Sequence, residues 1–488
     1  MTRLPTGVSG LDMILGGGLD PGSVTVLAGA PGAGKTILAQ QMCFANATPE
    51  RRAIYYTTLS EPHSKLIRHL QFLDFFVPDA LGTSVEYLHL GDLIRDDRSG
   101  RMNPLVDEVS RKTMDEQPAL VVIDSAKALK DFAGERDLRM AFYDLTSRMS
   151  QTETALLLLG EYTPAEMESG VEFSLADTIL QLVYEAREPI DRRWLRVLKM
   201  RGTHHLEGKH TFRIGPTGFE VFPRIEAVEP GAPAEVTGRI SSGIPGLDEL
   251  MGGGIGAGEA TVLLGPSGIG KTIAGLRFVA EGLAHDERCL YVTFQDAPEQ
   301  LIKMAATFGW NLEDARGNGT LVMHHVPLGE LDLDILSTRI RAELTEGSLR
   351  RVVIDSLAEM VLAAREAERF PAYARSLTGL IRAVGASLLI TSETTTLGPS
   401  PEPVGGASFL FHNLILMRYI EQNSETGRAL NIVKMRNSHH SHHVHQFTID
   451  EDGMTVGPPL HEVTGTLGWS ALRSPRPDRT SPPPTAAT

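Results

Sequence analysis

The sequence predicts two α/β domains in tandem, each a mostly parallel sheet flanked by helices. Three observations carry this. The first is a long internal repeat. Gly7-Val8-Ser9-Gly10-Leu11-Asp12 returns as Gly243-Ile244-Pro245-Gly246-Leu247-Asp248, and Gly16-Gly17-Gly18 returns as Gly252-Gly253-Gly254. Copies about 235 residues apart mark a duplicated domain, since stacked-repeat architectures have periods of about 20–50 residues. The second is that short, continuously apolar runs alternate with longer helical patterns in each half, the pattern of strands buried on both faces. The third is length: 488 residues, at roughly 100–200 per domain, hold two or three domains.

Taken in order, Val24 to Ala28 reads as a strand, enters a Gly-rich loop and continues into an amphipathic stretch, Ile37 to Ala45. Further buried strands are Ala53 to Thr57, Leu120 to Ile123 and Thr154 to Leu159. The second half repeats the series with Thr261 to Leu264, a helical stretch Ile273 to Ala280, and strands Leu290 to Phe294, Val352 to Ile354 and Ser387 to Ile390. The first domain is expected over residues 1–225 and the second over 239–460. The segment 226–238 between them is rich in Pro and Gly and reads as a linker. The tail, 461–488, contains Pro482-Pro483-Pro484, and its composition predicts disorder.

Composition narrows the function. Against 46 Lys and Arg stand 61 Asp and Glu, a net charge of −15, which argues against a general nucleic-acid or membrane-surface binder. The two cysteines, Cys43 and Cys289, cannot build a disulfide framework or a cysteine zinc site. They fall at similar places in the two halves and read as small buried hydrophobes, as Met42 and Phe278 read as core. There is no run of 18 apolar residues and no apolar signal-peptide core at the start, so a cytoplasmic protein is expected.

The Gly-rich loops carry the chemistry. Gly29-Ala30-Pro31-Gly32-Ala33-Gly34-Lys35-Thr36 and Gly265-Pro266-Ser267-Gly268-Ile269-Gly270-Lys271-Thr272 both fit G-x-x-x-x-G-K-T between a strand and a helix. Glycines let successive backbone N–H groups close around a phosphate, and the helix N-terminus adds positive potential. Lys35 and Lys271 are expected at the β- and γ-phosphates, Thr36 and Thr272 at Mg²⁺. The acid that such a metal needs is Asp124 in the first half and Asp355 in the second. Each ends an apolar strand, at the sheet edge where ligands bind, and each is followed by Ser. An Asp that merely caps the next turn is the alternative.

These residues resemble the KaiC family of RecA-like ATPases, over Leu4 to about Gly457. The resemblance rests on Val8-Ser9-Gly10-Leu11-Asp12, on Lys199-Met200-Arg201-Gly202-Thr203 and Lys434-Met435-Arg436-Asn437-Ser438, and on Phe212-Arg213-Ile214 with Gly218 and Phe222-Pro223. It implies two RecA-like domains, ATP as the nucleotide, and a double-ring homo-hexamer with nucleotide between subunits. It also gives Lys199, Arg201, Lys434 and Arg436 a role. Positions i and i+2 of a strand point the same way, so each Lys-x-Arg could reach a neighbour's γ-phosphate as an arginine finger. An exposed basic edge strand is the alternative.

The sequence departs from the family where two adjacent glutamates are expected before a proline. The first half has Leu59-Ser60-Glu61-Pro62 and the second Gln295-Asp296-Ala297-Pro298. Glu61 could act from one residue along, and Asp296 could serve as a shorter base with Gln295 orienting the water. Loss of a positioned base costs about 10²–10⁴ in rate, so slow hydrolysis is expected. Glu161 and Glu393, after the next strand of each half, resemble a family segment near the nucleotide; a solvated strand end explains them equally well.

Some family members autophosphorylate adjacent Ser and Thr residues in the second domain. Here Ser408 stands at the first acceptor position and Phe409 at the second, which leaves single-site autophosphorylation at Ser408 as the alternative activity. A RecA-like DNA-dependent ATPase is a further reading, and it lacks the basic stripe with interleaved aromatics that it needs. A scaffold whose ATP state is read by a regulatory protein is compatible with slow hydrolysis. The histidines at 439, 440, 442, 443 and 445 have no carboxylate or cysteine at ligand spacing, and read as an interface loop rather than a metal site, with His204 and His205 at the same place in the first half.

Overall fold

The structure, a computed structural model, describes residues 3–58, 63–90, 103–132, 134–186, 191–229, 231–364, 368–393, 410–422, 425–436 and 438–460. The chain divides into two compact units, Met1–Val228 and Glu229–Thr488.

In the first unit nine strands form one sheet: β1 (Val24–Gly29), β2 (Ala53–Thr57), β3 (Val85–His89), β4 (Leu120–Asp124), β5 (Ala155–Gly160), β6 (Thr178–Glu185), β7 (Arg192–Met200), β8 (His210–Gly215) and β9 (Gly218–Phe222). Their spatial order is β3-β2-β4-β5-β1-β6-β7-β8-β9. From β3 to β6 all neighbours are parallel, and from β6 to β9 all are antiparallel. Period-2 alternation divides each parallel strand between two cores. Leu27, Tyr55, Val122 and Leu157 face Leu38, Met42 and Cys43 of the helix Lys35–Asn46. Val26, Ile54, Tyr56, Val121, Ile123 and Leu158 pack with Val109, Phe142 and Leu145 from the helices Asn103–Glu116 and Glu135–Met149. This is why the parallel strands read as unbroken apolar runs.

The second unit opens with a two-stranded ribbon, β10 (Arg239–Ile240) and β11 (Ile255–Gly256). It then repeats the sheet with β12 (Ala260–Gly265), β13 (Arg288–Thr293), β14 (Leu321–His325), β15 (Leu349–Asp355), β16 (Ser387–Glu393), β17 (Asn413–Gln422), β18 (Glu425–Met435), β19 (His445–Asp450) and β20 (Gly453–Pro459). The order is β14-β13-β15-β16-β12-β17-β18-β19-β20. In both units the central strand connects toward one side of the sheet and the sixth strand lies on its other side. The carboxyl end of β1 or β12 therefore borders the crevice in which open α/β sheets bind ligands. Both cysteines are buried and form no disulfide, and burial pushes both thiols up, that of Cys289 to about 12.

The antiparallel arm was not distinguished in the sequence. It braces the site: the amide N–H of Phe219 on β9 donates to Oε1 of Gln41 at 2.7 Å, about one and a half helical turns past the phosphate loop. Its hub is His210, fully buried. Its Nδ1 accepts the backbone N–H of Arg224 and its Nε2 faces the Leu206 carbonyl, both at 3.0 Å. That arrangement fits only the neutral ring, and burial lowers the pKa to about 4. The unfolded chain therefore takes this proton first. The His210 contribution is complete above about pH 6.5 and is lost as pH falls toward 4, by about 3 kcal/mol at most. The melting temperature is expected to fall less between pH 7 and pH 4.5 in His210→Gln than in the unaltered protein.

Candidate functional site

Each phosphate loop joins a fully buried strand to a helix that no side chain caps. The residue before each helix must be glycine. Gly34 has φ +100 and Gly270 φ +116, and a Cβ would lie 2.5 Å from Ile214 Cδ1 or Ile449 Cδ1. The first-turn N–H groups are thus open to an anion. Ala33 and Ile269 are fully buried and anchor the loops, while Pro31, Gly32, Ser267 and Gly268 are exposed.

Lys35 and Lys271 are each only 8% exposed. Lys35 Nζ donates to the Gly29 and Ala30 carbonyls at 3.0 and 2.9 Å, and Lys271 Nζ to those of Gly265 and Pro266, both at 2.9 Å. Burial lowers both lysine pKa values. Glu161 and Asp124 oppose it at Lys35, and Glu393, Asp355 and Glu359 at Lys271. Glu161 Oε1 lies 3.9 Å from Lys35 Nζ. The two glutamates whose role the sequence left open therefore stand in the field of the phosphate-loop lysines.

The sheet brings the expected metal residues together. Thr36 Oγ1 donates to Asp124 Oδ2 at 2.9 Å, and Thr272 Oγ1 to Asp355 Oδ2 at 2.8 Å. The same carboxylate oxygens accept the hydroxyls of Tyr55 at 2.6 Å and Tyr291 at 3.1 Å. Burial, then the aspartate charge, holds both phenols far above their usual range. A hydroxyl and a carboxylate beside a phosphate loop form an all-oxygen donor set, which suits Mg²⁺ sharing its shell with phosphate and water. Among the described residues, no group of three or more His, Cys, Asp or Glu could hold a metal ion by itself. In the histidine loop, His445 is held by the Gly457 carbonyl and the Ser441 hydroxyl.

The two sites differ in ways the sequence reading missed. Thr391 Oγ1 donates to Asp355 Oδ1, whereas Leu159 stands in register with Asp124. Gln295 Nε2 donates to Glu359, whose other oxygen accepts the Ser356 hydroxyl. The signal was present: Glu359 is the only charge in Leu357–Ala364, an otherwise apolar helix.

The Lys-x-Arg residues lie elsewhere. Lys199 is paired with Ile179 and Lys434 with Leu414, near the starts of β6 and β17. That is the sheet end where β1 and β12 begin, a strand's length from the phosphate loops, on the order of 15–20 Å at about 3.3 Å per residue. Lys199 Nζ donates to the Phe173 and Ser174 carbonyls, and Lys434 Nζ to that of Phe411. Arg201 and Arg436 are exposed just past the strand ends, so the strand alternation expected for them stops short of the arginines. Each arginine still lies close enough to lower its lysine's pKa, second to burial. One residue before each lysine, Leu198 and Val433 are exposed at a shift in register. Asp296 is half-buried beyond Gln295, its carbonyl accepting the Thr293 hydroxyl at 2.8 Å. Glu61, Ser408 and the 461–488 tail lie outside the described residues. Among the described residues no helix is long and apolar enough to cross a membrane.

The family model for the ATPase KaiC matches this chain twice, over residues 4–226 and 240–461. Circadian clock protein KaiC3 of Synechocystis sp. is 26% identical, covering 96% of this chain and 94% of its own. Circadian clock oscillator protein KaiC of Parathermosynechococcus lividus is 26% identical, covering 96% and 88%. Circadian clock oscillator protein KaiC 1 of Synechocystis sp. is 25% identical, covering 96% and 92%.

Proposed function

The chain belongs to the KaiC family of ATPases, and from that premise we propose a slow, Mg²⁺-dependent hydrolysis of ATP at the subunit interfaces of a homo-hexameric ring. The observation that carries this reading is the twice-built cluster of a buried lysine, a hydroxyl and an aspartate around an uncapped helix N-terminus. Lys35 and Lys271 bind the β- and γ-phosphates. Thr36 with Asp124, and Thr272 with Asp355, hold Mg²⁺, which when bound neutralises the phosphate charge. Lys199 with Arg201, and Lys434 with Arg436, enter from the neighbouring chain and stabilise the charge that spreads over the γ-phosphoryl oxygens. Their distance from their own loops supports this trans assignment.

The oxygen of water bonds to the γ-phosphorus as its bond to the β,γ-bridging oxygen breaks. ADP leaves with that electron pair, and both of the water's protons end on inorganic phosphate, formed as H₂PO₄⁻. Gln295 orients the water but its amide is no base, which supports slow turnover. A ring whose shape follows its nucleotide would suit a regulatory protein partner.

The test is incubation with γ-³²P-ATP and Mg²⁺, counting free phosphate and protein-bound label from the same tubes. Free phosphate that disappears in the Lys35→Ala, Lys271→Ala double variant, with unlabelled protein, is the expected result. Label on the protein that is lost in Ser408→Ala would replace this reading with autophosphorylation.

A further inference from the structure

We infer that Gln295 and Glu359 form a water-positioning pair present in the second nucleotide site only, with Glu359 acting as a positioning residue through Gln295. The inference rests on the hydrolytic reading above and deepens it.

Gln295 lies two residues past Thr293, which is in register with Asp355. It is exposed at the carboxyl edge of the sheet, where an attacking water would stand. Glu359 is 4% exposed and reaches the same place from the helix that follows Asp355. Its oxygens receive one donor each, the Gln295 amide and the Ser356 hydroxyl. A carboxylate accepts hydrogen bonds and donates none, so the NH₂ end of Gln295 must face it. The carbonyl end is then turned the other way, free to accept a hydrogen bond from water at the γ-phosphate. A glutamine with no such partner can present either end. Glu359 is also among the carboxylates that Lys271 senses, which puts it within the field of the phosphate loop.

The first unit lacks both members together. Aligned on Pro62 and Pro298, Gln295 corresponds to Leu59; counted from Asp124 and Asp355, Glu359 corresponds to Ala128. Ser125 remains, but its Oγ accepts the Ala128 N–H instead. The same fold therefore already accepts alanine at the Glu359 position, which makes Glu359→Ala a usable test.

Phosphate release at saturating Mg·ATP and the number of nucleotides bound per chain are measured on the full chain. The fall caused by Lys271→Ala defines the share of turnover at the second site. Glu359→Ala is expected to remove most of that share, about 10- to 100-fold in kcat at that site, the range for a misplaced positioning group. The KM for ATP and two bound nucleotides per chain should be retained. Gln295→Ala, at an exposed position, should do the same, and adding Glu359→Ala to it should change nothing further. Full second-site turnover in Glu359→Ala, or losses that multiply in the double variant, overturn the inference and leave the ATPase reading standing. No fall in Lys271→Ala would remove hydrolysis at the second site itself, and the inference with it.

Discussion

Lys35→Ala and Lys271→Ala are each expected to empty one of two nucleotide sites, and the double variant to bind none. Each ammonium sits in a nearly dry niche, fixed by two loop carbonyls, and burial already lowers its pKa. Burial outweighs the nearby carboxylates at each lysine, and arriving phosphate adds negative charge that favours the ammonium form. Truncation leaves the phosphate charge without its cation and the two carbonyls without a donor. Removing one partner of a desolvated charge pair costs about 2–5 kcal/mol, roughly 30- to 5,000-fold in Kd. Equilibrium dialysis with a non-hydrolysable ATP analogue should count two nucleotides per chain in the unaltered protein and one in each single variant. Two nucleotides bound to either variant would remove the lysine from the site.

Arg201→Ala and Arg436→Ala should retain nucleotide and lose turnover. A cation supplied in trans to a γ-phosphoryl group is worth about 10³–10⁵ in rate. Little of the fold depends on Arg201: its side chain is 59% exposed and its nearest carboxylate, Asp177, lies 3.6 Å away, a surface pair of small worth. Phosphate release should fall while bound nucleotide stays at two per chain. Mixing resolves the trans question. Chains with Arg201→Ala keep a first-unit loop, and chains with Lys35→Ala keep the arginine, so a mixture should regain first-site turnover that neither has alone. Unchanged turnover in Arg201→Ala, or a mixture no better than its parts, would exclude the neighbour's arginine.

What could be read from the sequence was what chemistry pins to fixed spacing. The glycines, lysine and threonine of each loop are adjacent in the chain, and Asp124 and Asp355 announce themselves as acids ending apolar runs. The partners of those acids do not. Tyr55 and Tyr291 meet them from the next strand, so register had to be known before the contact could be seen. The Leu159 and Thr391 difference is visible only once β4 with β5, and β15 with β16, are aligned. Glu359 was hidden because a charge within an apolar helix reads first as solvent-facing. The Lys-x-Arg pairs were found through a family pattern; their place at the far end of the sheet follows from β6 with β7, and β17 with β18, being antiparallel.

That antiparallel turn has an economy beyond catalysis. On the proposed reading, a chain carries its finger where its own loop cannot use it. A lone chain can load ATP yet cannot consume it. Loading and consumption become separate licences, one granted by nucleotide and the other by company. The arrangement is an interlock: ATP is held in reserve until chains meet, so the start of turnover records assembly rather than supply.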